Sequence, residues 1–393
     1  MLKFLFFTSY LIIFYSYIGY GILIYILVKF KQIFFKNRRF NPDLEFEPEV
    51  TLLVAAYNEA EVIEQKIQNS ISLDYPSEKL RLIFITDGST DASRAIIGRY
   101  KNILQLHEKE RKGKLAAINR AIKYVETPFV IFSDANTQLN EGCIREIVKH
   151  YQDTKVGGVA GEKKIILKEK DKAVASGENI YWKYESILKK LDSEFYSVVG
   201  AAGELFSIRT SLYRETPKDT IIEDFVLSLQ ISMAGNPIRY EPSAFATETS
   251  SLSISEEQKR KVRIAAGAFQ AMRILKDLFN VFRYPILSFQ FISHRVLRWT
   301  LCPICLITGF LSNVLIVLNG SAYFYIVVLL AQCVFYVMAF FGWLLANRDL
   351  KIKSFYVPYY FLFMNLSVFL GFYRFLLKKQ TSIWEKATRH SNP

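Results

Sequence analysis

The chain has 393 residues, of which 51% are apolar and 15% aromatic, and its formal net charge is +13. The length allows one large domain or two smaller ones, and the apolar and aromatic load is high for a soluble protein. The positive charge fits anionic lipid headgroups or an anionic substrate. It does not read as nucleic-acid binding, because the basic residues flank apolar runs or anchor helices and form no nucleic-acid module pattern.

The apolar residues are segregated along the chain. Residues Phe4 to Val28 carry no charge, and neither do Trp299 to Asn347 or Ser354 to Tyr373. A bilayer core takes roughly 20 apolar residues per helix. The first run therefore predicts one span (1–30); it is too long for a signal peptide and no small-residue cleavage site follows it. Lys29, Lys31, Lys36, Arg38 and Arg39 follow closely. By the positive-inside rule they put the next segment, roughly 240 residues at 40–280, in the cytoplasm, and that size suits one α/β domain.

Within this segment Val50 to Tyr57 predicts a buried strand ending at Asn58-Glu59, followed by helical spacing to Ser72. Leu80 to Thr86 is a second strand, ending at Asp87-Gly88-Ser89-Thr90-Asp91, with a helix through Tyr100. Ile103 to His107 is a short third strand, and Gly113 to Val125 reads as a helix opened by glycine. The fourth strand, Phe129 to Ser133, stops at Asp134-Ala135-Asn136. This alternation predicts an α/β fold with a doubly wound, mostly parallel sheet. Ligands in such sheets sit beyond the carboxyl ends of the strands. Asp134 and Asn136 offer two hard oxygens there, suited to Mg²⁺ or Mn²⁺ bridging to substrate phosphates.

The second half is less regular. Asp171 to Phe195 is helical, Gly200-Ala201-Ala202-Gly203 precedes a strand at Glu204 to Arg209, and Thr220 to Asp224 leads into a helix through Met233. Ser255 to Leu275 is a basic helix. Tyr284 to Trp299 mixes Phe289, Phe291 and Trp299 with His294, Arg295 and Arg298, the pattern of an interfacial helix (284–299) lying along lipid headgroups. A C-terminal membrane region (300–377) then holds two spans with a hairpin at Asn319-Gly320-Ser321, and a third interrupted by Pro358. A basic tail (378–393) ends the chain. Four full crossings would leave that tail outside, whereas Arg374, Lys378, Lys379, Lys386 and Arg389 argue for the cytoplasm. A Ser354 to Tyr373 segment that re-enters or lies shallow around Pro358 resolves the conflict. Cys302 and Cys305 form a C-x-x-C inside an apolar span with Pro303, which reads as membrane packing rather than zinc or redox chemistry. The spans carry no charge and no repeat, which argues against a transporter.

Taken in order, Val54-Ala55-Ala56-Tyr57-Asn58-Glu59, Asp87-Gly88-Ser89-Thr90-Asp91, Lys112-Gly113-Lys114, Asp134-Ala135-Asn136, Glu223-Asp224 and the Gln258 to Arg263 helix resemble the membrane family 2 glycosyltransferases, the group of cellulose, hyaluronan and poly-N-acetylglucosamine synthases. The resemblance spans nearly the whole chain. It implies a glycosyltransferase-A fold in a bacterial inner (plasma) membrane, a nucleotide-diphosphate sugar donor with UDP-sugars favoured, a glycan or lipid-linked acceptor, and a divalent metal. Carried over by position, Ala56, Asn58, Glu59, Asp87, Lys114, Asp134, Gln258, Arg260 and Arg263 would bind the donor. Asp134 and Asn136 would hold the metal, Asp224 with Glu223 would be catalytic, and Gly203 and Glu204 would lie near the acceptor. The chain departs from the family pattern twice. Asn136 replaces the second acid of Asp-x-Asp, and Arg263 is followed by Ile264 where the family has tryptophan; Trp384 is the candidate substitute platform for the acceptor sugar. The expected activity is transfer of a sugar to a growing polysaccharide. The rivals are transfer of a single sugar to a lipid phosphate carrier and a catalytically inactive scaffold that binds nucleotide sugar.

Overall fold

The computed structural model describes residues 1–34, 45–166, 176–249, 254–320, 322–348, 350 and 352–378. The chain forms two compact units.

The first unit, residues 31–166 and 189–252 in the described part, is built on one sheet. Its strands are β1 (Val50–Ala56), β2 (Leu80–Asp87), β3 (Ile103–Glu108), β4 (Phe129–Asp134), β5 (Gln138–Leu139), β6 (Gly158–Ile166), β7 (Leu205–Arg209) and β8 (Ile238–Thr249). Their spatial order is β3-β2-β1-β4-β7-β6-β8-β5. The four strands expected from the apolar runs form the parallel half, since β1 pairs in parallel with β2 and β4, and β2 with β3. Beyond β4 the sheet is mixed: β7 is antiparallel to β4 and β6, β6 is parallel to β8, and β5 is antiparallel to β8. β5 has only two residues, and β6 and β8 carry charged residues within their runs, which hides them from a reading tuned to buried parallel strands.

Period-two alternation divides the core between the two faces of the sheet. Val50, Leu52, Val54 and Ala56 pack with Ile63 and Ile67 of the helix Ile63–Ile71 and with Ile144 and Ile147 of the helix Cys143–Val148. Leu53 and Ala55 point the other way, toward Ala117 and Ile118 of the helix Lys114–Ala121 and Leu227 and Ile231 of the helix Glu223–Met233.

The second unit contains residues 1–30, 176–188 and 254–378 of the described part. Among the described residues four helices are long and apolar enough to cross a membrane: Leu2–Phe34, Leu301–Leu318, Tyr323–Ala346 and Lys353–Leu376. The hairpin expected near residue 320 is present, with Gly320 at φ 76°. The last of these helices runs unbroken through Pro358, which sits near its start; a 24-residue helix is about 36 Å long, enough for a bilayer core. Cys302 and Cys305 are buried free thiols, in keeping with a packing role.

The segment expected to lie along headgroups is the helix Pro285–Phe291, a π-helical turn Ile292–Val296 and a last turn Leu297–Trp299. Its polar residues do not face outward. His294 and Arg298 are buried, and with Arg295 they surround Glu185, itself buried on the helix Ser176–Phe195. Arg298 Nε also donates to the Ser16 carbonyl at 3.0 Å, within a second π-helical turn, Tyr15–Gly19.

Candidate active site

The chain leaves β1 toward β2 and β3, then returns on the other side of β1 as β4. That reversal opens a crevice beyond the carboxyl ends of β1 and β4, where open α/β sheets take their ligands. Ala56, Asp87 and Asp134 each close a strand at this edge. Because β7 runs antiparallel beside β4, with Leu205 opposite Ser133, the segment entering β7 delivers Gly203 and Glu204 to the same edge. The helix Glu223–Met233 brings Glu223 and Asp224 in its first turn.

Lys114 is the hub. Its ammonium lies 2.5 Å from Asp134 Oδ1 and 3.6 Å from Glu223 Oε1. Burial alone would lower its pKa, but the Asp134 and Glu223 carboxylates outweigh that and hold it above the usual lysine range. A methyl group on Gly203 would come within 3.1 Å of Lys114 Nζ and 3.3 Å of Asp224 Oδ2, so glycine there lets the backbone approach both charged groups. Lys114, Gly203, Phe206, Tyr213, Glu223 and Asp224 line one small, partly open pocket. Burial, reinforced by the neighbouring Glu223 carboxylate, pushes the Asp224 carboxyl up to about 7. A carboxylate with that affinity for protons is matched to taking a proton near neutral pH.

The β1 and β2 ends are laced together. Asn58 adopts φ 52°, and its Oδ1 accepts the Thr90 N–H at 2.8 Å. The Glu59 N–H donates to Ser93 Oγ at 2.9 Å. Asp87 is buried, and its Oδ2 accepts the Lys112 and Gly113 N–H groups at 2.9 and 2.6 Å while Oδ1 pairs with Arg120. Its Oδ2 thus braces the turn that starts the Lys114 helix, and its Oδ1 ties down Arg120 in the last turn of the same helix.

Asn136 Nδ2 donates to Glu248 Oε1 at 3.2 Å, and Asn136 Oδ1 is buried with no hydrogen-bond partner. An orphaned amide oxygen two residues from a carboxylate is a donor set that fits a hard divalent cation. Among the described residues no group of three or more His, Cys, Asp or Glu is placed to hold a metal.

Gln258, Arg260 and Arg263 belong to the helix Ile254–Ile274 of the other unit, where Arg260 lies 3.9 Å from Glu257. Trp384 lies outside the described residues.

Sequence reasoning missed Lys66, although its position on the apolar face between Ile63 and Ile67 was a signal. It is fully buried and donates to Ser133 Oγ at 2.8 Å and the Thr137 carbonyl at 2.9 Å, pinning the loop that carries Asp134 and Asn136. Burial pushes its pKa down to about 7. Between there and the ordinary value of 10.5 the unfolded chain binds more protons than the folded one, so this group makes stability rise with pH across that window. Lys66→Met is expected to flatten the rise in melting temperature between pH 7 and 10 relative to the native chain; parallel curves would refute it.

Residues 51–216 match the family model described as Glycosyl transferase family 2. Over those residues the chain is similar to family 2 glycosyltransferases, and its sheet and helices are those of the glycosyltransferase-A fold. Among curated proteins, it is 26% identical over 265 residues to poly-beta-1,6-N-acetyl-D-glucosamine synthase of Staphylococcus aureus (strain COL), covering 64% of this chain and 62% of that protein. The Staphylococcus epidermidis synthase is 25% identical over 313 residues, 75% of this chain and 73% of that one. The match thus spans about three-fifths of the length of the S. aureus relative. Among solved structures, a mannosyltransferase from Pyrobaculum calidifontis, in complex with GDP-Man and Mn2+, shares the fold with a TM-score of 0.71 at 20% identity, over 97% of this chain and 100% of that one.

Proposed function

We propose that this is a membrane-embedded inverting glycosyltransferase. It moves a sugar from a nucleotide-diphosphate donor, UDP-sugars favoured, to a growing polysaccharide on the cytoplasmic face. The observation that carries the reading is Asp224: a carboxyl pushed up to about 7 by desolvation, lining the same pocket as Lys114, which is itself paired to Asp134 at the switch point of the sheet. The family 2 match and the named activity of the staphylococcal relatives support it.

An alcohol is a poor nucleophile at neutral pH, so an acceptor hydroxyl needs a base as it attacks the anomeric carbon. Asp224 takes that proton. Glu223 keeps Asp224 basic, and Gly203 leaves room for the acceptor beside it. Charge grows on the departing diphosphate as the bond breaks, and Lys114 supplies a positive charge at this site to offset it. Asp134 and Asn136 would hold Mg²⁺ or Mn²⁺, which supplies further stabilisation of that charge when bound. Lys29 and Lys31 at the end of the first long helix support the cytoplasmic orientation. A second reading, transfer of one sugar to a lipid phosphate carrier, is favoured by the absence of tryptophan after Arg263.

The test is turnover of radiolabelled UDP- and GDP-sugars by the full chain in lipid nanodiscs, with Mg²⁺, Mn²⁺ or EDTA, and sizing of the product. Long, metal-dependent products are expected. One sugar in the lipid fraction would establish the second reading, and release of nucleotide from no donor would overturn both in favour of a scaffold.

A further inference from the structure

The residue that replaces the second acid of the metal site is not isolated. β5 follows Asn136 directly and pairs with β8, Gln138 opposite Thr247. That antiparallel register carries Glu248 alongside the Asp134–Asn136 loop. Glu248 is 5% exposed, and its Oε1 accepts the Asn136 amide proton at 3.2 Å. Its other oxygen pairs with Lys163, which also pairs with Glu204. A carboxylate accepts and cannot donate, so it fixes the Asn136 amide with nitrogen toward Glu248. The amide oxygen must then face away, and it is the buried oxygen that has no partner.

The charges explain why the amide is there. Glu204 and Glu248 already share one ammonium, Lys163. A carboxylate at position 136 would meet Glu248 at hydrogen-bond distance, and like charges that close cannot both stay ionised. We infer that Glu248 is the positioning residue of the cation site: Asn136 and Glu248 together replace the second acid, the amide supplying the oxygen and Glu248 its orientation and negative charge. The inference rests on the reading that Asp134 and Asn136 hold a divalent cation.

The test uses the full chain in nanodiscs and two readouts across Glu248→Gln, Asn136→Asp and the double variant. The first is binding of Mn²⁺ with UDP, followed by the electron paramagnetic resonance of free Mn²⁺. The second is the melting temperature without metal. Glu248→Gln is expected to weaken Mn²⁺ by about tenfold, the lower end for an orienting partner. Asn136→Asp alone should gain no Mn²⁺ affinity and should melt lower. The double variant should recover both. Effects that simply add in both readouts, or Asn136→Asp binding Mn²⁺ more tightly by itself, overturn the inference. If the native chain binds no Mn²⁺, the cation reading fails, and the metal-free melting cycle still decides whether Glu248 and Asn136 are coupled.

Discussion

Asp224→Asn is expected to lower kcat for sugar transfer by roughly 10²–10⁴-fold, the contribution of a positioned general base. Binding of the nucleotide should be nearly unchanged, because Lys114 and Asp134 remain paired. The native chain should also lose activity as pH falls through about 7, since protonated Asp224 cannot accept a proton. An ordinary aspartate would hold its activity to about pH 4. Stability separates this from unfolding. Burial raises the folded pKa from 3.8 to about 7, so between those values the folded chain binds more protons than the unfolded one. Stability therefore falls as pH rises through that window. Removing the carboxylate should make the variant melt higher than the native chain at pH 8 while it turns over far more slowly. Unchanged kcat, or a pH profile that stays flat down to pH 5, would remove Asp224 from the mechanism.

The parallel half of the sheet was legible because each strand is a short apolar run that stops at a polar residue, as at Phe129 to Asp134. That pattern follows from burial on both faces. It also exposed Asp87, Asp134 and Asn136, which stand at strand ends. Beyond β4 only β7 was legible as a strand, at Glu204 to Arg209. Lys163 stands between Glu162 and Lys164 and Glu248 between two threonines, and the two charges are buried where they meet each other across the sheet. Glu248 lies 112 positions from Asn136, so no local spacing links them. Asp87 was legible as a residue but not in its contacts. Its carboxylate caps backbone N–H groups of a turn 25 residues away, which only the register of β2 against the Lys114 helix reveals. Asp224 was found by its motif; its raised proton affinity depends on burial beside Glu223, which a sequence does not display.

The largest stability effect is expected at Glu185, far in sequence from the candidate chemistry. The residue is buried and accepts from Arg298 through one oxygen and from Arg295 at 3.0 Å through the other, with His294 Nε2 at 3.4 Å. Burial alone would raise its pKa, but the two guanidinium groups outweigh that and hold it well below the carboxylate range. Its contribution to stability is present above the ordinary carboxylate pKa and is lost as pH falls through the lowered one. Glu185→Ala leaves Arg295 and Arg298 facing each other without that counter-charge. Breaking a buried pair from one side costs about 3–5 kcal/mol, most of it the desolvation of the charge left behind. Glu185→Gln should fall between, since it keeps the acceptor oxygen and loses the charge. Charge relief distinguishes this from lost packing: Glu185→Met combined with Arg298→Met removes one carboxylate and one guanidinium together, and should recover much of the loss. Thermal melting in detergent, followed by the fraction of protein that remains monodisperse, measures all three. A Glu185→Ala protein that melts with the native chain would mean that water reaches this cluster and that its charges are already solvated.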